Sequence, residues 1–348
     1  MKDYLCITAF GLTGNAFNDR FRLRNLGACV SRVGEAFPEA DHVVEWQLRP
    51  GEAIPGGFGC CRGVEEEGPF HKTMLLNCAV RENPGYRAYV MVDADVYMTR
   101  GLAEYAMANC ADGRLVFPYG DTLYLDEADT VRLCGTGAPW PGEKDHGTTI
   151  WRQTGLCNAF TRGSYDRVGG FDEAFSGWGA EDDAFMYKFR RCGMEVLRNP
   201  DTSVPAYHMF HPAATSGGYM ESPGYRRNRA YCACIRRMSD ADFSDYVAGR
   251  AAMDSLVEKY RALGRLELEL RWRVSPTDVL KMDTTLYDID RSGEITIGKI
   301  LAEVLREDGY AGVVDICEHV LYEVDGMYPE MKDEVDRWYG EAKERCSS

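Results

Sequence analysis

The chain has 348 residues, 45% of them hydrophobic and 27% charged, the balance of a folded globular protein and not of a disordered one. A formal net charge of −15 excludes a nucleic-acid backbone as the main partner, since neutralising phosphates takes a basic face. No apolar run approaches the ~18 residues that span a bilayer, Met1–Ile7 lacks a signal-peptide pattern, and the 13 irregularly spaced cysteines fit a reducing compartment. A cytoplasmic protein without an integral membrane segment is therefore expected.

Tyr4–Phe10 reads as a buried strand, followed by a Gly/Asn loop over Gly11–Asn18. Asp19–Phe37 has helical spacing, with Phe21, Leu23, Leu26, Val30 and Val33 apolar and Arg20, Arg22 and Arg24 between them; Pro38 ends it. His42–Leu48 is a second strand, and 49–68 is a loop rich in Gly, Pro and Glu. Phe70–Val80 returns to helical pattern, and Tyr86–Val92 is a third strand that runs into Asp93-Ala94-Asp95. Gly101–Asn109 follows as a helix and Arg114–Tyr119 as a fourth strand, after which 121–154 is less regular. Leu156–Thr161, a helix over Glu181–Cys192 and a strand over Glu195–Leu197 continue the same domain to His211.

Beyond Arg237 the chain turns helical and acidic. The alternation predicts an α/β fold, Rossmann-like, with a mostly parallel sheet flanked by helices over 1–240, and a smaller α-helical domain over 241–348. In such sheets ligands sit at the carboxyl ends of the strands, where Asp93 and Asp95 fall.

Chemistry concentrates between Gly169 and Asp183. Trp178 offers a flat apolar face between Gly177 and Gly179, and Glu181-Asp182-Asp183 open a helix. Acids in a first helical turn contribute ~0.3–1 kcal/mol through the macrodipole, which accounts for one or two of them but not for the Gly-Trp-Gly before them. A carboxylate held rigidly on a helix is what a general base requires.

Asp93 and Asp95, two residues apart in an extended chain, can face one ligand. They suit Mg²⁺ or Mn²⁺ shared with substrate phosphates, although a solvated strand-end turn reads the same way. His208 and His211 end another apolar run, and one of them would complete a mixed oxygen and nitrogen shell that favours Mn²⁺. His208 is the first choice and His211 the reserve. Arg20, weakly favoured over Arg22 and Arg24, and Lys72 at the start of the Phe70–Val80 helix are candidates for a base, ribose or phosphate; a solvated helix face is the alternative. Arg226-Arg227-Asn228-Arg229 reads equally as a mobile loop closing over a diphosphate or as a charged helix start.

The order Asp93-Ala94-Asp95, Gly170-Phe171-Asp172-Glu173, Gly177-Trp178-Gly179-Ala180-Glu181-Asp182-Asp183 and Tyr207-His208 resembles metal-dependent glycosyltransferases of the GT-A fold. It is most similar to the C-terminal region of β-1,4-galactosyltransferases and to bacterial chondroitin-type polymerases, over residues 1–235. The resemblance implies a UDP-sugar donor on Mn²⁺ (or Mg²⁺), held by Asp95 and His208, with Asp93 contacting the nucleotide side. It implies Asp182 as base, Glu181 on acceptor or donor hydroxyls, and Trp178 stacked on sugar with Gly179 and Asp183 in the substrate-binding set. The partners are then a nucleotide-sugar donor and a glycan or other hydroxyl acceptor. Ala180 departs from the pattern, glycine being common there.

A base on one element and a metal on another imply single displacement and inversion. A retaining enzyme of the same fold, a non-catalytic carbohydrate- or calcium-binding protein on a retired scaffold, and a nucleotidyltransferase are the other readings.

Asp288–Lys299 resembles an EF-hand loop, with acids at its first and third positions and Gly293 at its sixth, but Lys299 stands where the bidentate Glu belongs. Ca²⁺ at 288–299 is therefore not expected. A structural helix-loop-helix is, with Val279–Tyr287 and Ile300–Arg306 as its helices and Tyr322–Glu330 as a degenerate partner.

Overall fold

The computed structural model describes residues 2–136, 149–151, 154–212, 222–266, 288–290, 293–294, 297–319, 321 and 329–347. The chain divides into two compact units, the first within 1–150, 154–229 and 247–250, the second within 151–153, 230–246 and 251–348.

In the first unit the order is β1 (Tyr4–Gly11), α1 (Ala16–Ala36), β2 (Ala40–Leu48), β3 (Cys61–Glu65), α2 (Lys72–Glu82), β4 (Ala88–Val92), β5 (Val96–Tyr97), α3 (Arg100–Asn109), β6 (Arg114–Phe117), β7 (Asp121–Tyr124) and α4 (Glu127–Thr136). Then come β8 (Thr149–Trp151), β9 (Cys157–Thr161), α5 (Arg162–Arg167), α6 (Glu181–Arg191), β10 (Glu195–Arg198) and β11 (Ala206–His208). Seven strands form the main sheet in the order β10-β6-β9-β4-β1-β2-β3, parallel throughout except β9, which runs antiparallel to both β4 and β6. This is the mostly parallel α/β sheet expected from the sequence.

The central strands are legible because both faces are covered, so they read as continuous apolar runs. All five residues of β4 are buried, as are Tyr4 to Thr8 of β1. Helix α1 buries the stripe Leu26, Cys29 and Val33, with Leu26 packed among Phe10 of β1 and Val44 and Trp46 of β2, and its start is capped by the Asn15 side chain, which accepts from the amides of Phe17 and Asn18. Strand β3 lies inside the stretch expected to be loop. It pairs with β2 alone, at the sheet edge, and the sequence Cys-Arg-Gly-Val-Glu carries no alternation that marks a buried face.

A second sheet, β5-β11-β7-β8, shapes the functional end. Antiparallel pairing sets His208 of β11 opposite Val96 of β5, the residue directly after Asp95. Met209 then donates its amide to the Asp95 carbonyl at 2.7 Å. The turn after β4 and the chain leaving β11 are thereby joined by backbone bonds.

The second unit is helical. The end of α7 (Pro223–Arg237), α8 (Asp240–Val247) and α9 (Met253–Ala262) precede α10 (Ile297–His319) and α11 (Pro329–Ser347). The last two close on a core of Leu301, Val304, Val313, Ile316 and Val335. Asp288–Asp290 and Gly293–Glu294 form a two-stranded pair, and α10 begins at Ile297, inside the EF-hand-like stretch. The Val279–Tyr287 flank and most of Tyr322–Glu330 lie outside the described residues. Among the described residues no helix is long and apolar enough to cross a membrane.

Candidate active site

Strand β4 ends at Val92, and the chain bends at Asp93. Its amide donates to the Leu156 carbonyl at 2.8 Å, and the Leu156 amide donates back to Asp93 Oδ2 at 3.0 Å. Leu156 takes a left-handed φ of 69°, a conformation that costs an L-residue ~1–2 kcal/mol, so the corner is held by this reciprocal pair.

Two residues on, Asp95 meets both histidines. His211 Nε2 is 3.0 Å and His208 Nε2 3.6 Å from Asp95 Oδ2, and one ligand atom from each of the three lies within 4.8 Å of the others. Each ring is oriented from behind. His208 stacks on Tyr124 at 4.4 Å, and His211 Nδ1 donates to the Pro212 carbonyl at 3.1 Å, which leaves Nε2 for a ligand. Burial raises the Asp95 pKa, but the two imidazoles and Arg22 outweigh it and hold the carboxyl well below its usual range. Burial lowers the His208 pKa; in His211 the bond to Asp95 overcomes burial and raises it. One carboxylate oxygen and two imidazole nitrogens converging on one point fit a divalent ion.

Asp93, expected among the ligands, turns elsewhere. Its Oδ1 lies 2.9 Å from Lys72 Nζ. The same ammonium donates to both oxygens of Asp182, at 3.1 and 3.0 Å, and Glu181 Oε1 stands 3.6 Å away. One ammonium therefore joins Asp93, two residues before Asp95, to the acids of the Trp-Gly-Ala-Glu-Asp-Asp loop. Gly155 makes the approach possible: a Cβ there would fall 2.7 Å from Asp182 Oδ2 and 3.7 Å from Asp93 Oδ2. Burial, then the charges of Glu181 and Asp93, push the Asp182 pKa well above the usual range against the pull of Lys72. For Lys72 burial works downward, and the three carboxylates outweigh it to raise its pKa.

The rest of the acid loop is built for rigidity. Ala180, immediately before α6, has φ 67°. Asp183, expected to face substrate, is buried and accepts from Thr154 Oγ1 at 2.5 Å, so it supports the loop from within. Trp178 is 57% exposed and stacks on Tyr225 at 5.4 Å, while the Tyr225 ring lies so close over Gly179 that a Cβ would sit 2.6 Å from it.

Arg226–Arg229 fall in helix α7, the charged-helix reading and not the mobile loop. Arg227 Nη2 donates to the Ser176 carbonyl at 2.8 Å, and Asn228 Nδ2 donates to the carbonyls of Ser176 and Trp178.

Arg20 lies 4.5 Å over the rings of Phe17 and Phe21, away from these acids. Arg22 and Arg24 are the arginines of α1 nearer the site: Arg22 donates to the Gly11 carbonyl and its charge lowers the Asp95 pKa, and Arg24 donates to the Phe210 carbonyl, next to His211, at 2.8 Å. Gly155, Thr154, Tyr124 and Tyr225 also enter the site without having been singled out in the sequence. The first two lie in the stretch that carries no periodic pattern, and the tyrosines stand in no motif.

The family model for the N-terminal domain of galactosyltransferase matches residues 144–212. Among solved structures, the chain is similar to the catalytic domain of Drosophila β1,4-galactosyltransferase 7 in complex with xylobiose, at 14% identity over 60% of this chain and 71% of that one, with a TM-score of 0.36. It is similar to GalNAc-T7 with UDP, GalNAc and Mn²⁺ at 14% identity, over 75% and 54%, TM-score 0.46. It is also similar to a TarS structure from S. aureus at 12% identity, over 100% and 92%, TM-score 0.43. Identities this low leave function to the site and to the family match. That match spans the acid loop and both histidines and supports glycosyltransferase activity.

Proposed function

We propose that the protein is an inverting, metal-dependent hexosyltransferase, with its catalytic domain in 1–240, that moves a sugar from a UDP-hexose of the UDP-Gal, UDP-GalNAc or UDP-Glc class to a hydroxyl of a glycan or other acceptor. The observation that carries this reading is the Asp95–His208–His211 cluster, whose Asp95 stands two residues after Asp93, together with the Lys72 ammonium that joins Asp93 to the Asp182 carboxylate. Asp95, His208 and His211 would hold Mn²⁺ or Mg²⁺. Bound there, the ion supplies Lewis-acid stabilisation of the departing diphosphate.

Asp182 takes the proton of the acceptor hydroxyl as the acceptor oxygen bonds to the anomeric carbon and the bond from that carbon to the diphosphate breaks. Glu181 orients hydroxyls beside it, and Trp178 presents an exposed face to a sugar ring. One base and one leaving-group site, with no second nucleophile required, correspond to single displacement.

The test is transfer from the three UDP-sugars to a panel of sugar acceptors, with Mn²⁺ and with EDTA. Transfer that EDTA abolishes and Mn²⁺ restores is expected, with inverted configuration in the product. EDTA-resistant turnover refutes the metal role, a retained configuration refutes inversion, and neither transfer nor donor hydrolysis with any of the three refutes the donor class.

A further inference from the structure

We propose that Lys72 is a positioning residue that ties the donor half of the site to its acceptor half, holding the Asp182 carboxylate in place for the incoming hydroxyl and drawing Asp93 away from the cation ligands. The proposal rests on the transferase reading above and adds a role for the one ammonium at the junction.

An ammonium carries three protons and no acceptor. At Lys72 the three face three carboxylates from two separate elements: Asp93 Oδ1 at 2.9 Å after β4, Asp182 at 3.0 Å and Glu181 at 3.6 Å at the start of α6. The residue is 9% exposed, so the arrangement is not a loose surface pair. Its backbone is fixed as well. The His71 amide donates to Gln47 Oε1 at 2.8 Å, Thr73 Oγ1 to the Phe175 carbonyl at 2.9 Å, and Asn77 Nδ2 to the Phe171 carbonyl at 2.9 Å. Helix α2 is thus laced to the segment that leads into the acid loop.

With its ammonium already bonded to Asp182 and paired with Asp93, Lys72 is engaged by protein acids and not set out as a phosphate ligand, the role its position at a helix start suggests. Asp93 and Asp182 flank the space above Gly155, and like charges at that spacing repel unless a cation stands between them. A compact point charge meets several acids at once where a planar guanidinium fork prefers one.

The experiment uses the full chain. In Lys72→Met, kcat should fall by about 100-fold, the scale of a misplaced reacting group, while the Kd for UDP in the presence of Mn²⁺, measured by calorimetry, stays unchanged. Lys72→Arg, which keeps the charge, should recover part of the lost turnover. A loss read in UDP affinity with kcat retained makes Lys72 a nucleotide contact and overturns the proposal.

A crystal structure of Lys72→Met gives a readout independent of turnover: Asp182 and Asp93 should move apart, and unmoved carboxylates overturn the idea. Should the wild type transfer no sugar, the transferase reading falls while the crystallographic comparison still decides the positioning role. If Lys72→Met does not fold, Lys72→Arg carries the test, with kcat lowered at constant UDP affinity expected and the reverse pattern refuting it.

Discussion

His211 stands closer to Asp95 than His208 does, 3.0 Å against 3.6 Å between the ring Nε2 and the carboxylate Oδ2. The sequence favours His208, which directly follows an apolar run, yet the turn after β11 brings the second ring to the same carboxylate. Both histidines should therefore count in cation binding. His208→Ala and His211→Ala should each weaken Mn²⁺ affinity in the presence of UDP by more than about tenfold. A titration in which either change leaves affinity intact removes that histidine from the ligand set.

Asp182 and Asp183 are neighbours with opposite surroundings, one facing Lys72 and the other Thr154. Asp182→Asn should lower kcat by about 10²–10⁴-fold, the range for loss of general-base catalysis, with UDP binding kept. Asp183→Asn should show itself first in thermal unfolding, because it disturbs a buried bond. Equal kinetic profiles for the two variants would contradict the division of labour.

Ala180 sits in the left-handed region at φ 67° just ahead of α6. This is the physical reason glycine suits the position. Ala180→Gly should raise stability by about 0.5–1 kcal/mol, the left-handed penalty less the entropy that glycine adds to the unfolded chain. Denaturant melts of the two proteins check it, and a destabilised glycine variant would count against it.

Tyr225 covers one face of Trp178, leaving the indole exposed on the rest of its surface. Tyr225→Ala should raise the acceptor KM while leaving the donor KM and UDP affinity unchanged. A rise in the donor KM alone places the pair on the wrong side of the site.

His42 gives a pH dependence that is independent of turnover. Burial pulls its imidazole down to about 4, Nε2 shares a hydrogen bond with Thr8 Oγ1 at 3.0 Å, and Nδ1 is buried with no partner among the described residues. The folded value is below the ordinary ~6.5, so the unfolded chain binds the proton first. The stability contributed is complete above about pH 6.5 and is lost as the pH falls toward 4. Unfolding free energies at several pH values should drop through that window, and less steeply in His42→Gln; parallel curves would exclude His42 as the cause.

The parts of the fold that were legible share a cause. β1 and β4 are buried on both faces, and the apolar stripe of α1 repeats over most of its 21 residues. β3 was not legible, because an edge strand with Gly63 between Arg62 and Val64 has no pattern to show. Arg22 was recoverable: it precedes Leu26 by one helical turn and so shares the buried face, whereas Arg20 points off it toward Phe17. Lys72 was named from the sequence, but as a nucleotide contact. Its partners lie 21, 109 and 110 positions away (72 to 93, 181 and 182), and no local pattern encodes a meeting at that range.

Gly155 leaves room, by a single missing methyl group, for carboxylates from two separate elements. A larger residue there would act as a wedge, driving the Asp182 carboxylate out of its place beside Lys72. That corner, at the mouth of the one reversed strand of the main sheet, therefore admits no side chain without displacing an acid.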